Sequence, residues 1–328
     1  MIALAVAAAL TFAFLNGVID AGPLAGSVIS SRALSPRKAL LIAALGSFLG
    51  SLLLGSAVVR TMGQGLLVFS ALPPGTEPVT ASAAAALAAL AWVTLGAVAG
   101  LPSSFTHALL GGWFGAFVAL GGFAAVRWGQ AALVLFGVLA VPLLGLAAAW
   151  AALRAFYSLG ARLSSRSQAF IVDLETLIFS ALTVTHGANA AQKSMALLAV
   201  GALDLSAGVP KGLEVAGWMR VICAAAFSIG TLLGATRTLK TVGFRICRVG
   251  TVQSFLALSV SAALVSASTL VGLPLSPGQL NSACLLGVGA GHNPKTVRWG
   301  VAVDLLTNWV LTFPAAAVLG FGLAKVLA

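Results

Sequence analysis

Hydrophobic positions in this chain do not alternate with polar ones; they run on almost without interruption. Stretches 39–59, 81–99, 131–152 and 254–271 approach or pass the roughly 18 apolar residues that mark a bilayer-spanning helix. A helix that is apolar all round is buried in lipid or in a large core. The runs are rich in Ala, Leu, Val and Gly and lack the period-two pattern of a porin-type strand, so they predict helices rather than a barrel. Polar residues collect in short connectors and in four interruptions of the apolar pattern, at 16–23, 101–104, 183–194 and 273–276.

These interruptions repeat in order. Asn16-Gly17-Val18-Ile19-Asp20-Ala21 answers to His186-Gly187-Ala188-Asn189-Ala190-Ala191, with glycines 17 and 187 standing 170 residues apart. Leu54-Gly55 and Thr61-Met62-Gly63 answer to Leu233-Gly234 and Thr241-Val242-Gly243 at an offset of 179 to 180. Gly100-Leu101-Pro102-Ser103-Ser104 answers to Gly272-Leu273-Pro274-Leu275-Ser276 at an offset of 172. Each match alone is cheap in a chain with 37 glycines; their collinearity is not. An all-α polytopic membrane protein of two repeats is expected, one over 1–155 and one over 169–328, joined by a basic connector at 156–168. Polar or Gly/Pro interruptions at matching places of two halves point to a secondary transporter with its site near the midplane. Inversion of the repeats is an expectation from that architecture.

Composition strengthens the membrane reading: 60% of residues are hydrophobic and 8% charged, against about 25% charged in an ordinary soluble domain. The net charge of +11 does not signal nucleic-acid binding, because the Lys and Arg sit in connectors, as in the positive-inside rule. The clusters Arg32/Arg37/Lys38, Arg154/Arg162/Arg166 and Arg237/Lys240/Arg245/Arg248 are candidates for the cytoplasmic side. The link 73–78, which has an acid and no base, reads as the opposite side. Whether 100–126 and 272–291 cross or turn back leaves the number of spans open. Cys223, Cys247 and Cys284 lack metal or redox spacing and read as small buried hydrophobes. The first fifteen residues lack the basic start of a cleaved signal peptide.

Within the apolar frame, Asn16 and Asp20 share a helix face at i, i+4. A charge at membrane depth costs at least about 2.5–3.5 kcal/mol, so Asp20 is a site candidate; the alternative is a helix cap ahead of Pro23. His186, Asn189 and Lys193 also fall on one face, with Gln192 beside them, although Lys193 could instead snorkel and His186 bond a freed carbonyl. Ser103, Ser104 and Thr106, and Ser276 in the second half, stand where helices begin, and free backbone N–H groups there attract anions. Plain capping explains the same residues unless the two helix ends converge. Asp304, with Asn308 one turn on, lies in the last apolar segment; it is a coupling candidate or pairs with Arg298 or Lys295.

At these residues the chain resembles the inorganic phosphate transporter family of sodium- or proton-coupled symporters. The resemblance rests on Asn16-Gly17-x-x-Asp20-Ala21, Ser31-Arg32-Ala33-Leu34-Ser35-Pro36-Arg37-Lys38, Gly100-Leu101-Pro102-Ser103-Ser104-x-x-His107-Ala108-Leu109 and His186-Gly187-Ala188-Asn189-x-Ala191-Gln192-Lys193-x-Met195. Val297-Arg298-Trp299 and Trp309-Val310-Leu311-Thr312-x-Pro314 also fit. It implies a fold with two broken helices and two helical hairpins enclosing phosphate and a cation, with hairpin hydroxyls and the Asp/Asn of the breaks as ligands. Departures are visible at Gly22-Pro23, Ala190 and Ser276-Pro277-Gly278-Gln279, where the family carries Asn, Asp and a hydroxyl-rich run. They remove oxygen donors from a Na⁺ site at Asn16, Asp20 and Asn189, and a hard cation needs several. Asp304 or His186, with protons, is the alternative for coupling.

The expected function is cation-coupled symport of inorganic phosphate, or a similar oxyanion such as sulfate, across the cytoplasmic membrane. Na⁺ or H⁺ is the coupling ion, and no cofactor, enzymatic activity or nucleic-acid partner is expected. A homodimer in the lipid bilayer is compatible with this. The other readings are a sulfate permease and an uncoupled channel or sensing subunit.

Overall fold

The apolar runs fold as helices: α1 (Ile2–Ser30), α2 (Pro36–Leu53), the short α3 (Ala57–Arg60), α4 (Pro78–Val98), α5 (Phe105–Gly121), α6 (Trp128–Ser158), α7 (Ser165–Gly201), α8 (Gly217–Leu233), α9 (Thr251–Leu270), α10 (Pro277–His292) and α11 (Trp299–Leu327). This computed structural model describes residues 1–98, 103–159, 165–207, 212–234 and 249–328. Among them, α1, α2, α4, α6, α7, α9 and α11 are long and apolar enough to cross a membrane. The outside of the bundle is apolar: Leu133, Phe136 and Leu144 of α6, Leu45 and Leu49 of α2, and Val310 and Val318 of α11 are exposed. Asn16, Asn189, Gln192 and Lys193 are buried instead. Lipid in place of water as the outer solvent accounts for that distribution.

Two crossings set the architecture, and each is made twice. On α7 a Cβ at Gly187 would collide with the backbone of Ser47 in α2; on α1 a Cβ at Gly17 would collide with the carbonyl of Phe227 in α8. Gly50 of α2 meets Val184, and Gly230 of α8 meets Phe14, in the same way. Positions 17 and 187, and 14 and 184, differ by 170, while 47 and 227, and 50 and 230, differ by 180. The α1–α8 contact is therefore the α2–α7 contact repeated, and each half's first helix packs on the other half's second. Likewise Gly115 of α5 lies against Ala317 of α11, and Gly287 of α10 against Leu146 of α6. Residues without side chains let these backbones approach closely, the main source of helix association in lipid.

Direction follows from the two ends of the molecule. Ile2, Ala5, Glu77, Val79, Gly201 and Asp204 all line one cavity of about 920 Å³, so α1 and α4 begin, and α7 ends, at that face. At the other face Ser31, just past α1, and Ser254, early in α9, both bond Glu175 near the start of α7. Tyr157 at the end of α6 meets His292 at the end of α10 (2.8 Å) and accepts from Gln253 of α9 (3.1 Å). Corresponding helices α1 and α7 thus run in opposite senses, as inverted repeats do.

The hairpins turn back rather than cross. The α4–α5 hairpin starts and ends at the cavity face, where Gly121 packs beside Ala71, and α9–α10 starts and ends at the opposite face. Both chain ends lie at the cavity face, with Leu327 against Ala5, Val79 and Ala83. Arg32 and Arg154 stand beside the Glu175–Tyr157 face, whereas the 73–78 link lines the cavity at the other, which agrees with the charge asymmetry expected from sequence. The cluster 237–248 lies outside the described residues.

One expectation is corrected. The polar segments do not break their helices, since α1 continues through Pro23 and α7 through Gly187. A proline withdraws one N–H but keeps a helical φ, and a glycine withdraws no bond at all, so neither forces an end here. The proposed cap role of Asp20 ahead of Pro23 falls with the break.

Candidate functional site

Whether the two helix beginnings converge was the question left by the sequence, and they do. α5 opens at Ser104, whose hydroxyl accepts from the His107 backbone N–H (3.3 Å) and lies 2.8 Å from His107 Nδ1. One residue into the helix, the Thr106 hydroxyl donates to the Leu275 carbonyl at the tip of the second hairpin (2.7 Å). It also accepts from Lys193 Nζ (2.8 Å), which reaches over from α7. The snorkelling alternative for Lys193 is therefore excluded: its side chain is 1% exposed and ends at the meeting of the two tips.

Asn189, one turn earlier on α7, holds the second hairpin. Its Nδ2 donates to Thr269 Oγ1 (3.1 Å) and the Leu273 carbonyl (3.0 Å), and its Oδ1 accepts from the Leu275 N–H (3.1 Å). Gln192 serves a third element: its Oε1 accepts from the Val58 N–H (2.9 Å) and its Nε2 donates to the Leu54 carbonyl (3.1 Å). It satisfies the open N-terminus of α3 from 134 residues away, a cap supplied by tertiary structure. These bonds use the hydrogen-bonding groups of both amides on the fold.

Across from α7, the α1 groups are less committed. Asn16 is buried, yet neither its Oδ1 nor its Nδ2 has a partner. Asp20 Oδ2 lies 3.8 Å from His186 Nε2, and neither His186 nitrogen makes a hydrogen bond. Asp20 also faces the first turn of α10, where a Cβ at Gly278 would come within 2.8 Å of Oδ1. Asn281 of α10 donates to the Pro23 carbonyl (2.8 Å), fixing α10 on α1. Ser103 Oγ, His107 Nε2 and both amide atoms of Gln279 are likewise buried without partners. Buried polar groups are rarely left unsatisfied, and a set of them around a single ammonium marks a place built for a polar guest or water.

The two helix N-termini differ in charge. The α10 end has the Asp20 carboxylate against its first turn, which offsets the positive end of that helix dipole. The α5 end has the Lys193 ammonium, which adds to it.

A model of the Phosphate transporter family matches this sequence twice, over residues 16–172 and 161–320. The chain belongs to that family. Two relatives called "Probable low-affinity inorganic phosphate transporter" come from Rhizobium meliloti (34% identity, covering 96% of this chain and 92% of that protein) and Bacillus subtilis (30%, covering 97% and 94%). The fold matches that of a solved structure described as the sodium-dependent phosphate transporter, with a TM-score of 0.88 over 99% of this chain and 98% of the other, at 20% identity.

For this phosphate transporter family member, the structure gathers Ser103, Ser104, Thr106, Asn189, Lys193 and Ser276 around the hairpin tips, with Asn16, Asp20 and His186 on the adjoining helices. Asp304 stands apart, exposed near the start of α11, and no ion pair joins it to Arg298 or Lys295 among the described residues; its backbone carbonyl accepts from Asn308 (2.8 Å). His107 and Gln279 join the site although sequence reasoning gave them no role. The spacing Ser104-x-x-His107, one helical turn, was the signal for the first. Gln279 was visible only as a departure from the family pattern.

Proposed function

We propose that this protein carries inorganic phosphate across the cell membrane by alternating access between its two inverted repeats. One observation carries the reading: the Lys193 ammonium is buried where the two hairpin tips meet, among polar groups without partners. The anion sits at the α5 end, held by Ser103, Ser104, the first-turn amides of α5 and Lys193, with Ser276 from the second tip. The names of the relatives support phosphate over sulfate. Facing the cytoplasm with the Arg32 and Arg154 side follows from the positive-inside rule.

Asp20 and His186 take up the coupling cation. The oxygens expected to hold Na⁺ are few: Asn16 Oδ1, Asp20 and the second lone pair of Asn189 Oδ1, which already accepts from the Leu275 N–H. That is a poor cage for a hard ion. An Asp–His pair 3.8 Å apart, by contrast, needs only a proton to become a bonded ion pair. We therefore favour H⁺ as the driving ion.

The test is uptake of labelled phosphate and sulfate into proteoliposomes under an imposed H⁺ gradient, an imposed Na⁺ gradient, or neither. Accumulation of phosphate driven by H⁺ is expected. Equilibration without accumulation under any gradient would replace the symporter by a channel, accumulation under Na⁺ alone would reject the proton, and preference for sulfate would reject the substrate.

A further inference from the structure

Away from the anion site, one buried carboxylate is used by nothing described above. Glu175 lies on α7 near the face opposite the cavity and is 0% exposed. Its Oε1 accepts from Ser31 Oγ and from Ser254 Oγ, both at 2.6 Å, and its Oε2 is buried without a partner. Ser31 follows the last turn of α1, which ends as Arg32 enters the left-handed region (φ 63°). Ser254 belongs to the first turn of α9. A single oxygen therefore ties the end of the first repeat's leading helix to the start of the second repeat's hairpin.

The repeat gives an internal control. Shifted by the repeat offsets of 170 and 172, Glu175, Ser31 and Ser254 map onto Ala5, Gly201 and Ser82. Those residues meet too: Ala5 packs with Val79 and Ala83, and a Cβ on Gly201 would lie 3.4 Å from Ser82 Cβ. None of the three is a carboxylate, Ser82 Oγ has no partner, and Ala5 and Gly201 line the 920 Å³ cavity. The same junction is pinned at one face and lies beside a cavity at the other. Val28, Leu24 and Ala257 are buried in one apolar cluster with the pinned helices.

We propose that Glu175 is the latch that closes the Ser31/Ser254 face while the opposite face is accessible. Two hydrogen bonds this short on one buried oxygen hold α1 and α9 together. The second oxygen, dry and unpartnered, keeps the closed state from being too deep a minimum, because opening hydrates it. The latch rests on the alternating-access reading above but not on the identity of the anion.

Two added-cysteine reporters in the full-length protein, with Cys247→Ser in every variant, test it: Val28→Cys under the latch and Val79→Cys at the cavity. Labelling by a membrane-impermeant thiol reagent is corrected for the parent protein, whose Cys223 and Cys284 are buried. Glu175→Gln is expected to raise Val28→Cys labelling about tenfold and to lower Val79→Cys labelling in step. Ser31→Ala and Ser254→Ala should each shift both reporters the same way by about threefold, and they decide the matter if Glu175→Gln does not fold. Unchanged labelling in folded variants overturns the latch. So does a rise at both reporters, which means loosening rather than a shift between states. If the reporters respond while the parent protein moves no phosphate, the substrate reading fails and the latch stands.

Discussion

α1 and α7 occupy equivalent places in the two repeats, each carry a polar segment around a matching glycine, and do different work. On α7, Asn189 and Gln192 commit their amides to the second hairpin and to α3, and Lys193 bonds the first hairpin. On α1, Asn16 makes no hydrogen bond and Asp20 stands 3.8 Å from an otherwise free His186. α7 became the post on which both hairpins hang, with His186 left unbonded on it, while α1 kept Asn16 and Asp20 with capacity to spare. Duplication supplies two equivalent helices, and divergence is free to give one of them the amides that hold the fold, because a buried polar group is stable only when something satisfies it.

The largest effect should come from the buried ammonium that bonds the first hairpin. Lys193→Met is expected to cut phosphate uptake in proteoliposomes about 100-fold, since a charged hydrogen bond at the anion is lost and Thr106 is left half-satisfied. Retained uptake would remove the ammonium from the site.

The comparison itself is broken or sharpened by a pair of truncations. Asn189→Ala should lower stability by about 1–3 kcal/mol, read as a fall in melting temperature in detergent, because the Leu275 N–H and Leu273 carbonyl lose their partner. Asn16→Ala removes no bond and should leave melting nearly unchanged while reducing uptake. Equal thermal effects would show that the two helices are not divided in this way.

The repeated crossing predicts that Gly17→Ala and Gly187→Ala cost similar amounts, about 1–3 kcal/mol each, because each new methyl meets backbone of the partner helix. Gly129→Ala, where nothing lies within 4 Å, is the control. The smallest effect belongs to Asp304→Asn, which should leave uptake and its pH dependence unchanged, as Asp304 is exposed on α11 and bonded only through its backbone.

Much of the site was legible as a set of positions. The interruptions that repeat at 16–23 and 183–194, and the described residues 103–104 and 273–276 of the other pair, are the segments that converge. Their roles were less legible. Gln192 reads as an anion ligand until Val58 and Leu54 are placed beside it, and Glu175 sits in an ordinary helical stretch whose partners are 144 and 79 residues away. The expected helix breaks failed for a local reason, namely that one proline or one glycine costs too little to end a long buried helix.

The sequence by itself determined that this is a duplicated helical membrane protein whose basic clusters sit in its connectors. Hydropathy, repeat offsets and charge placement are properties of the chain read in order, and lipid converts them directly into spans and sides. Tertiary structure decided which buried polar groups are spent and which are free. It put Asn189 and Lys193 on the hairpin tips, left Asn16 and His186 without partners, and closed Glu175 onto one face only. Hydrogen-bond capacity is exhausted by neighbours in space, and no pattern along the chain records who those neighbours are.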